Sequence, residues 1–173
     1  MTDSWRVERF RLLFEEQQTA VYRFLHALTG SAETAKELAQ ETFYRAFKTF
    51  GAFEGRSAAS TWLCGIARNV ALNYFRAGRQ FGRVFDADAE PERAGGDAPD
   101  QLLLTSELRE AIRTSLVALD EDKRIAFTLK VLEQKSYEEI AAITGSAIAK
   151  LKTDVHRARL QLRAALAAYR EKS

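Results

Sequence analysis

The chain has 173 residues, enough for one domain or two small ones, and its formal net charge of +2 is too small to declare a nucleic-acid binder by itself. A single cysteine, Cys64, excludes an internal disulfide and suits a reducing compartment. The start of the chain enters an amphipathic pattern without an apolar signal core, and no apolar run is long enough to span a bilayer, so a soluble, cytoplasmic protein with no membrane insertion is expected.

Charge is distributed unevenly. Residues 1–80 carry 11 Lys/Arg against 8 Asp/Glu, residues 81–104 carry 2 against 6, and residues 105–173 carry 13 against 10. Two mildly basic blocks therefore flank an acidic connector.

Within the first block, Val7, Phe10, Phe14, Val21, Leu25 and Leu28 recur at helical spacing. Gly30 is placed to end that helix and Ser31 to cap the next. The second helix is expected to bury Leu38, Ala39, Phe43, Ala46, Phe47 and Phe50, leaving Glu37, Gln40, Glu41, Tyr44, Arg45 and Lys48 outward. Glu37 and Glu41 are like charges one turn apart, tolerable where a basic partner sits opposite. A third helix starts near Ser57 or Ser60, buries Trp62, Leu63, Ile66, Ala67 and Val70, and ends around Gly78. No acid occurs from residue 55 to 85, whereas Arg56, Arg68, Arg76, Arg79 and Arg83 do. Arginines interleaved with Asn69, Asn73, Tyr74 and Phe75 suit phosphates, base edges and unpaired bases, or else form a solvated basic face over core aromatics.

Residues 81–104 hold both prolines, Pro91 and Pro99, the pair Gly95-Gly96 and six acids, a composition expected of a flexible linker. Fully extended, some 24 residues reach roughly 80 Å. Beyond it, Leu108, Ile112, Leu116 and Leu119 form a stripe, and Asp120 is placed to cap a helix carrying Ile125, Leu129 and Leu132. Ser136 and Glu139 form a capping box. Ala141, Gly145 and Leu151 follow at the positions where a helix-turn-helix needs a small, a turning and a burying residue. The last helix is expected to bury Ile148, Leu151, Val155, Ala158, Leu162 and Leu166 and to present Lys150, Lys152, Arg157, Arg159 and Arg163 against one acid, Asp154. A basic helix held out by a short partner helix is a means of entering a DNA major groove. With no strand pattern, the fold expected is all-α: two small helical domains, 1–80 and 105–173, on a tether. No metal-ligand spacing, cofactor motif or catalytic constellation is evident.

Three segments of the first block (Leu28-Thr-Gly, Glu37-Leu-Ala-Gln-Glu-Thr-Phe and Thr61-Trp-Leu-Cys-Gly-Ile-Ala-Arg-Asn) resemble region two of the bacterial extracytoplasmic-function (ECF) sigma factors. Leu119-Asp-Glu-Asp-Lys-Arg, Ser136-Tyr-Glu-Glu-Ile-Ala and His156-Arg-Ala-Arg resemble their region four. The resemblance covers nearly the whole chain, in order. It implies a non-enzymatic specificity subunit that works with core RNA polymerase and promoter DNA, both duplex and unpaired strand, and is controlled by an anti-sigma factor.

Carried over by position, it places polymerase docking on Glu37, Gln40, Glu41, Phe43 and Arg45. It places recognition and melting of the −10 element on Arg56, Arg68, Asn69, Asn73, Arg76 and Arg79. Recognition of the −35 element falls to Ser146, Lys150, Lys152, Thr153, Asp154 and Arg157. Where the family usually has Gly-Thr-Val-Lys-Ser-Arg, this chain has Ala149-Lys-Leu-Lys-Thr-Asp154, an acid in place of arginine. Asp154 would pair with Lys150 or Arg157, or accept from a cytosine amino group. The alternatives are a one-component helix-turn-helix regulator acting without polymerase and a helical enzyme acting on nucleic acid, for which no nucleophile or metal cluster is found.

Overall fold

The computed structural model describes residues 2–80 and 106–172, and all regular structure among them is helical. The proposed linker, 81–104, lies outside the described residues. Helices α1 (Thr2–Thr29), α2 (Ala32–Thr49) and α3 (Ala59–Gln80) form the first unit, with a 3₁₀ turn at Phe50–Ala52. Helices α4 (Ser106–Val117), α5 (Glu121–Phe127), α6 (Tyr137–Thr144) and α7 (Ile148–Lys172) form the second. α5 runs straight on as a π-helical turn, Thr128–Leu132.

The expected punctuation holds at three boundaries. Gly30 adopts φ +68° and its N–H donates to His26 O at 2.8 Å, closing α1. A Cβ there would also lie 2.6 Å from Val117 Cγ2, so glycine is needed both for the turn and for the approach of α4. Ser31 Oγ accepts from Thr34 N and caps α2. The Ser136–Glu139 capping box is complete: Ser136 N donates to Glu139 Oε2 at 2.7 Å and Glu139 N to Ser136 Oγ at 3.1 Å. Asp120 does not cap α5 through its side chain, because its carboxylate turns to Lys123 Nζ at 2.9 Å.

In the first unit the buried layer is Leu13, Val21, Phe24, Leu25 and Leu28 from α1, Ala35, Leu38, Phe43 and Ala46 from α2, and Leu63, Cys64, Ala67, Val70, Ala71 and Phe75 from α3. Val7 and Phe14, expected inside, are exposed; the inward line of α1 runs through Leu13, Val21 and Phe24, and Val7 and Phe14 flank it. Phe14 still reaches the edge of Phe43, ring centroids 4.8 Å apart. Phe47 and Leu132 are likewise exposed, and Ile148 and Leu166 only half-buried. Trp62 is half-buried too, since it stacks on Phe53 at the surface instead of entering the core. Burial pushes the Cys64 thiol up to about 11, which makes it a packing residue rather than a nucleophile.

Sequence periodicity suggests two separate cores. The structure instead joins most of them: Ile125, Ala126, Leu129, Ile140, Leu151 and Val155 share one buried cluster with the first unit. A satellite of Leu116, Leu119, Ala158 and Leu162 lies between α4 and α7. Arg124 pins the junction. Its guanidinium donates to Leu28 O at 2.7 Å, Val117 O at 2.6 Å and Leu119 O at 2.8 Å, and lies 5.6 Å from the Phe75 ring centre. Arg113 donates to Gly30 O at 2.8 Å, and Arg23 pairs with Glu133 at 3.1 Å.

Candidate nucleic-acid interface

α2 sorts its residues by helical phase. Leu38, Thr42, Phe43 and Ala46 face inward, while Glu37, Gln40, Tyr44, Arg45 and Lys48 are exposed and Glu41 is half-buried beside them. Glu41 accepts from Arg45 Nε at 2.6 Å, and Lys48 lies over the Tyr44 ring at 4.4 Å. Glu37, Gln40, Glu41 and Arg45 thus form one outward surface. Phe43 is not on it. It is buried against Phe10 and Phe14, about 120° around the helix from Glu37 and about 160° from Glu41 and Arg45, so it supports the surface from below. Tyr44, absent from the set carried over by position, takes its place; adjacency to Glu41 and Arg45 was the available signal.

On α3, Asn69, Asn73, Arg76 and Arg79 are exposed at successive spacings of four, three and three, and make one strip. Arg68 lies half-buried at its edge, with Nη1 3.4 Å from Asn69 Oδ1. Arg56 stands apart, on the loop before α3, exposed and paired with Glu54 at 2.6 Å. That loop builds an open recess of about 410 Å³ lined by Thr49, Ala52, Phe53, Glu54, Arg56, Ser57 and Trp62. Phe53 and Trp62 stack at its wall, centroids 4.6 Å apart. Phe53 was missed from sequence because a lone aromatic between two glycines has no periodicity to place it. An aromatic wall beside an arginine suits a flat, anionic ligand such as an unpaired nucleotide.

The helix-turn-helix is α6, the left-handed Gly145 (φ +72°) and α7. Gly145 N–H donates to Ala141 O at 2.8 Å. Leu151, Val155, Ala158 and Leu162 bury one face of α7, so Lys152, Thr153, His156 and Arg157 are exposed on the other. Ser146 is half-buried just before α7, its N–H donating to Thr144 Oγ1. Asp154 departs from this surface. It is buried, and its carboxylate holds Lys150 Nζ at 2.6 Å, which resolves the options left open by sequence in favour of the partner one turn earlier. Lys150 also donates to Asp122 at 3.1 Å, and hydrogen bonds to Asp154 and then Asp122 raise its pKa above the ordinary lysine value.

A three-helix unit with a base-sized aromatic recess, followed by a helix-turn-helix with a basic outer face, is the layout of a sigma-70-type initiation factor. Residues 13–81 match Sigma-70 region 2 and residues 109–162 match Sigma-70, region 4. RNA polymerase sigma factor YlaC of Bacillus subtilis is 32% identical over 161 residues, covering 92% of each chain. The ECF RNA polymerase sigma-E factor of Escherichia coli is 34% identical over 175 residues, covering 92% of this chain and 91% of its own. Among solved structures, the sigma factor RpoE from Bartonella quintana, crystallised with the anti-sigma factor NepR, superposes with a TM-score of 0.75 at 27% identity, covering 92% of this chain and 97% of its own. CnrH, in complex with the cytosolic domain of CnrY, shares the fold with a TM-score of 0.67 at 21% identity, over 92% of this chain and 88% of its own. The chain belongs to the extracytoplasmic-function family of RNA polymerase sigma factors. It binds core RNA polymerase and directs promoter recognition and transcription initiation. A regulator working without polymerase is not favoured, since α1–α3 match the sigma region 2. Among the described residues no helix is long and apolar enough to cross a membrane.

Proposed function

We propose the following division of labour. Residues 1–80 form the unit that docks on polymerase and opens the −10 element, and residues 105–173 form the unit that reads the −35 element. The exposed face of α2, with Glu37, Gln40, Glu41, Tyr44 and Arg45, contacts polymerase; its alternating charge and aromatic character suit a protein surface rather than a phosphate backbone. The α3 strip of Asn69, Asn73, Arg76 and Arg79 follows the opened strand, with Arg68 at its edge. Arg56, Phe53 and Trp62 receive an unpaired base. Lys152, Thr153 and Arg157 enter the upstream major groove, with Ser146 at the helix start and Lys150 at its margin.

The observation that carries this reading is the separation of two exposed cationic strips on different units from an aromatic and acid-bearing face on α2. The protein acts in the cytoplasm by binding, and the chemistry of RNA synthesis stays with the polymerase. An anti-sigma protein controls it, a reading supported by the Bartonella quintana relative having been crystallised with one.

Transcription from a pooled promoter library with purified core polymerase tests the whole assignment. Wild-type protein is expected to start transcripts from a defined subset. Glu41→Arg is expected to abolish stimulation by preventing holoenzyme assembly, and Arg157→Ala to relax or weaken upstream selection. No new transcripts with wild-type protein would refute the reading.

A further inference from the structure

Arg6, near the start of α1, turns inward under the end of α2. Its Nη2 donates to Phe47 O at 2.8 Å, and its guanidinium carbon lies 5.2 Å from the Phe47 ring centre. A cation at a helix C-terminus meets carbonyls that have no partner within the helix. Its Nε is closed off from solvent with no hydrogen-bond partner among the described residues. A surface arginine would turn outward and hydrate that group, so packing holds the side chain where it is. Phe47 O also accepts from Phe50 N–H, the bond that turns α2 into the 3₁₀ segment. Arg6 therefore grips the atom about which the helix end turns.

From that point a chain of rings leads to the recess before α3. Phe10, one turn after Arg6, meets Phe47 and Phe50 edge-on, with centroids 5.2 and 5.3 Å apart. Phe50 lies 6.3 Å from Trp62, and Trp62 stacks on Phe53. Phe53 N–H donates to Phe50 O at 3.1 Å. A methyl group on Gly51 would lie 3.8 Å from Arg6 Cζ, so the guanidinium runs directly beside the 3₁₀ turn. Residues 53–58 have no helical hydrogen-bond ladder, and side-chain packing sets the position of this loop. A stacking wall displaced by about 1 Å no longer fits the base it receives.

We propose that Arg6 is a positioning residue for base capture: it fixes the end of α2 and, through Phe10 and Phe50, the aromatic wall of Phe53 and Trp62. It acts through the wall and not on the nucleotide. The proposal rests on the assignment of that recess to an unpaired base.

The test uses the full chain with core polymerase and the pooled promoter library, reading base preference position by position. Phe53→Ala removes half of the wall and marks the −10 position that the recess reads. Arg6→Ala is compared with Arg9→Ala, which removes the same charge from an exposed site on the same helix. Arg6→Ala is expected to assemble with polymerase and keep its −35 preference, while preference at the marked −10 position falls several-fold. Arg9→Ala should match wild type. In free protein carrying Trp5→Phe, which leaves Trp62 as the only tryptophan, acrylamide should quench Arg6→Ala more strongly than Arg9→Ala. Wild-type preference at the marked position in Arg6→Ala would overturn the proposal, as would equal loss at both elements or unaltered quenching. Should Arg6→Ala not fold, Arg6→Lys decides. Lysine keeps the charge and a donor but not the planar group over Phe47, so a smaller selective loss is expected and an unaltered preference overturns the proposal. Phe53→Ala with wild-type preference at every −10 position removes the recess reading beneath it; selective loss in Phe53→Ala alone removes only the role of Arg6.

Discussion

Asp154 Oδ2 lies 2.6 Å from Lys150 Nζ, one turn apart on α7, with the carboxylate side chain 11% exposed and the lysine 49%. The acid that replaces the family's usual arginine is therefore turned toward the protein and steadies a cation at the edge of the DNA-facing surface. Restoring a cation at this position would bury it against Lys150. Asp154→Arg is expected to lower the melting temperature by several degrees, and Asp154→Ala to destabilise by about 1 kcal/mol through loss of a charged hydrogen bond. Thermal melting reads the first and urea unfolding the second; no change in either midpoint would show that the pair carries no structural weight.

Glu139 joins the capping box to the first unit, since Oε2 accepts from Ser136 N and Oε1 from Thr61 Oγ1. The Ser136 backbone hydrogen bond is the main reason its carboxyl titrates below the ordinary value of 4.5. A lowered native pKa means the stabilisation is complete above the ordinary value and is lost as pH falls through the native one. Glu139→Gln retains an acceptor, so stability at pH 7 should change little while the acid limb of the stability profile flattens. Ser136→Ala should cost about 1 kcal/mol at all these pH values. Thermal melts between pH 3 and 7 read both.

Arg124 is buried and satisfies three backbone carbonyls, two in its own unit and one in the first. Burial lowers its pKa, though a guanidinium stays charged at any working pH. Arg124→Ala leaves those carbonyls without their donor and is expected to cost about 3 kcal/mol, with amide exchange rising on both sides of the junction. Exchange confined to α5 would mean that the contact with Leu28 does not bind the units.

Phe43 and Tyr44 are neighbours in sequence with opposite fates. Phe43→Ala should open a cavity among Phe10, Phe14 and α2 and destabilise by about 3–5 kcal/mol. Tyr44→Ala, at an exposed position, should change stability by under about 0.5 kcal/mol yet weaken binding to core polymerase. Equal loss of polymerase affinity by a folded Phe43→Ala protein, with Tyr44→Ala normal, would move the docking surface.

Sequence by itself determined the helices and their ends. Gly30, Ser31, the Ser136–Glu139 box and Gly145 act within a turn of chain, where local backbone chemistry decides the conformation, and each stands where it was read. The family motifs, carried by order and spacing, were legible for the same reason. Only the tertiary structure decided which residues on a helix face are covered. Periodicity gives a phase but not the neighbour, so Val7, Phe14 and Trp62 were assigned to a core they only border, whereas Phe43 is buried as its phase requires and only the family carry-over set it among the docking residues. Phe53 became visible as half of an aromatic wall once the loop had folded back on α3. The direction of Asp154, the burial of Arg124 and the hold of Glu121 on Arg79 depend on groups brought together from distant parts of the chain or from a helix face whose covering is set by another helix. Such pairings are fixed by packing, where desolvation and partner geometry act together, and no local pattern encodes them.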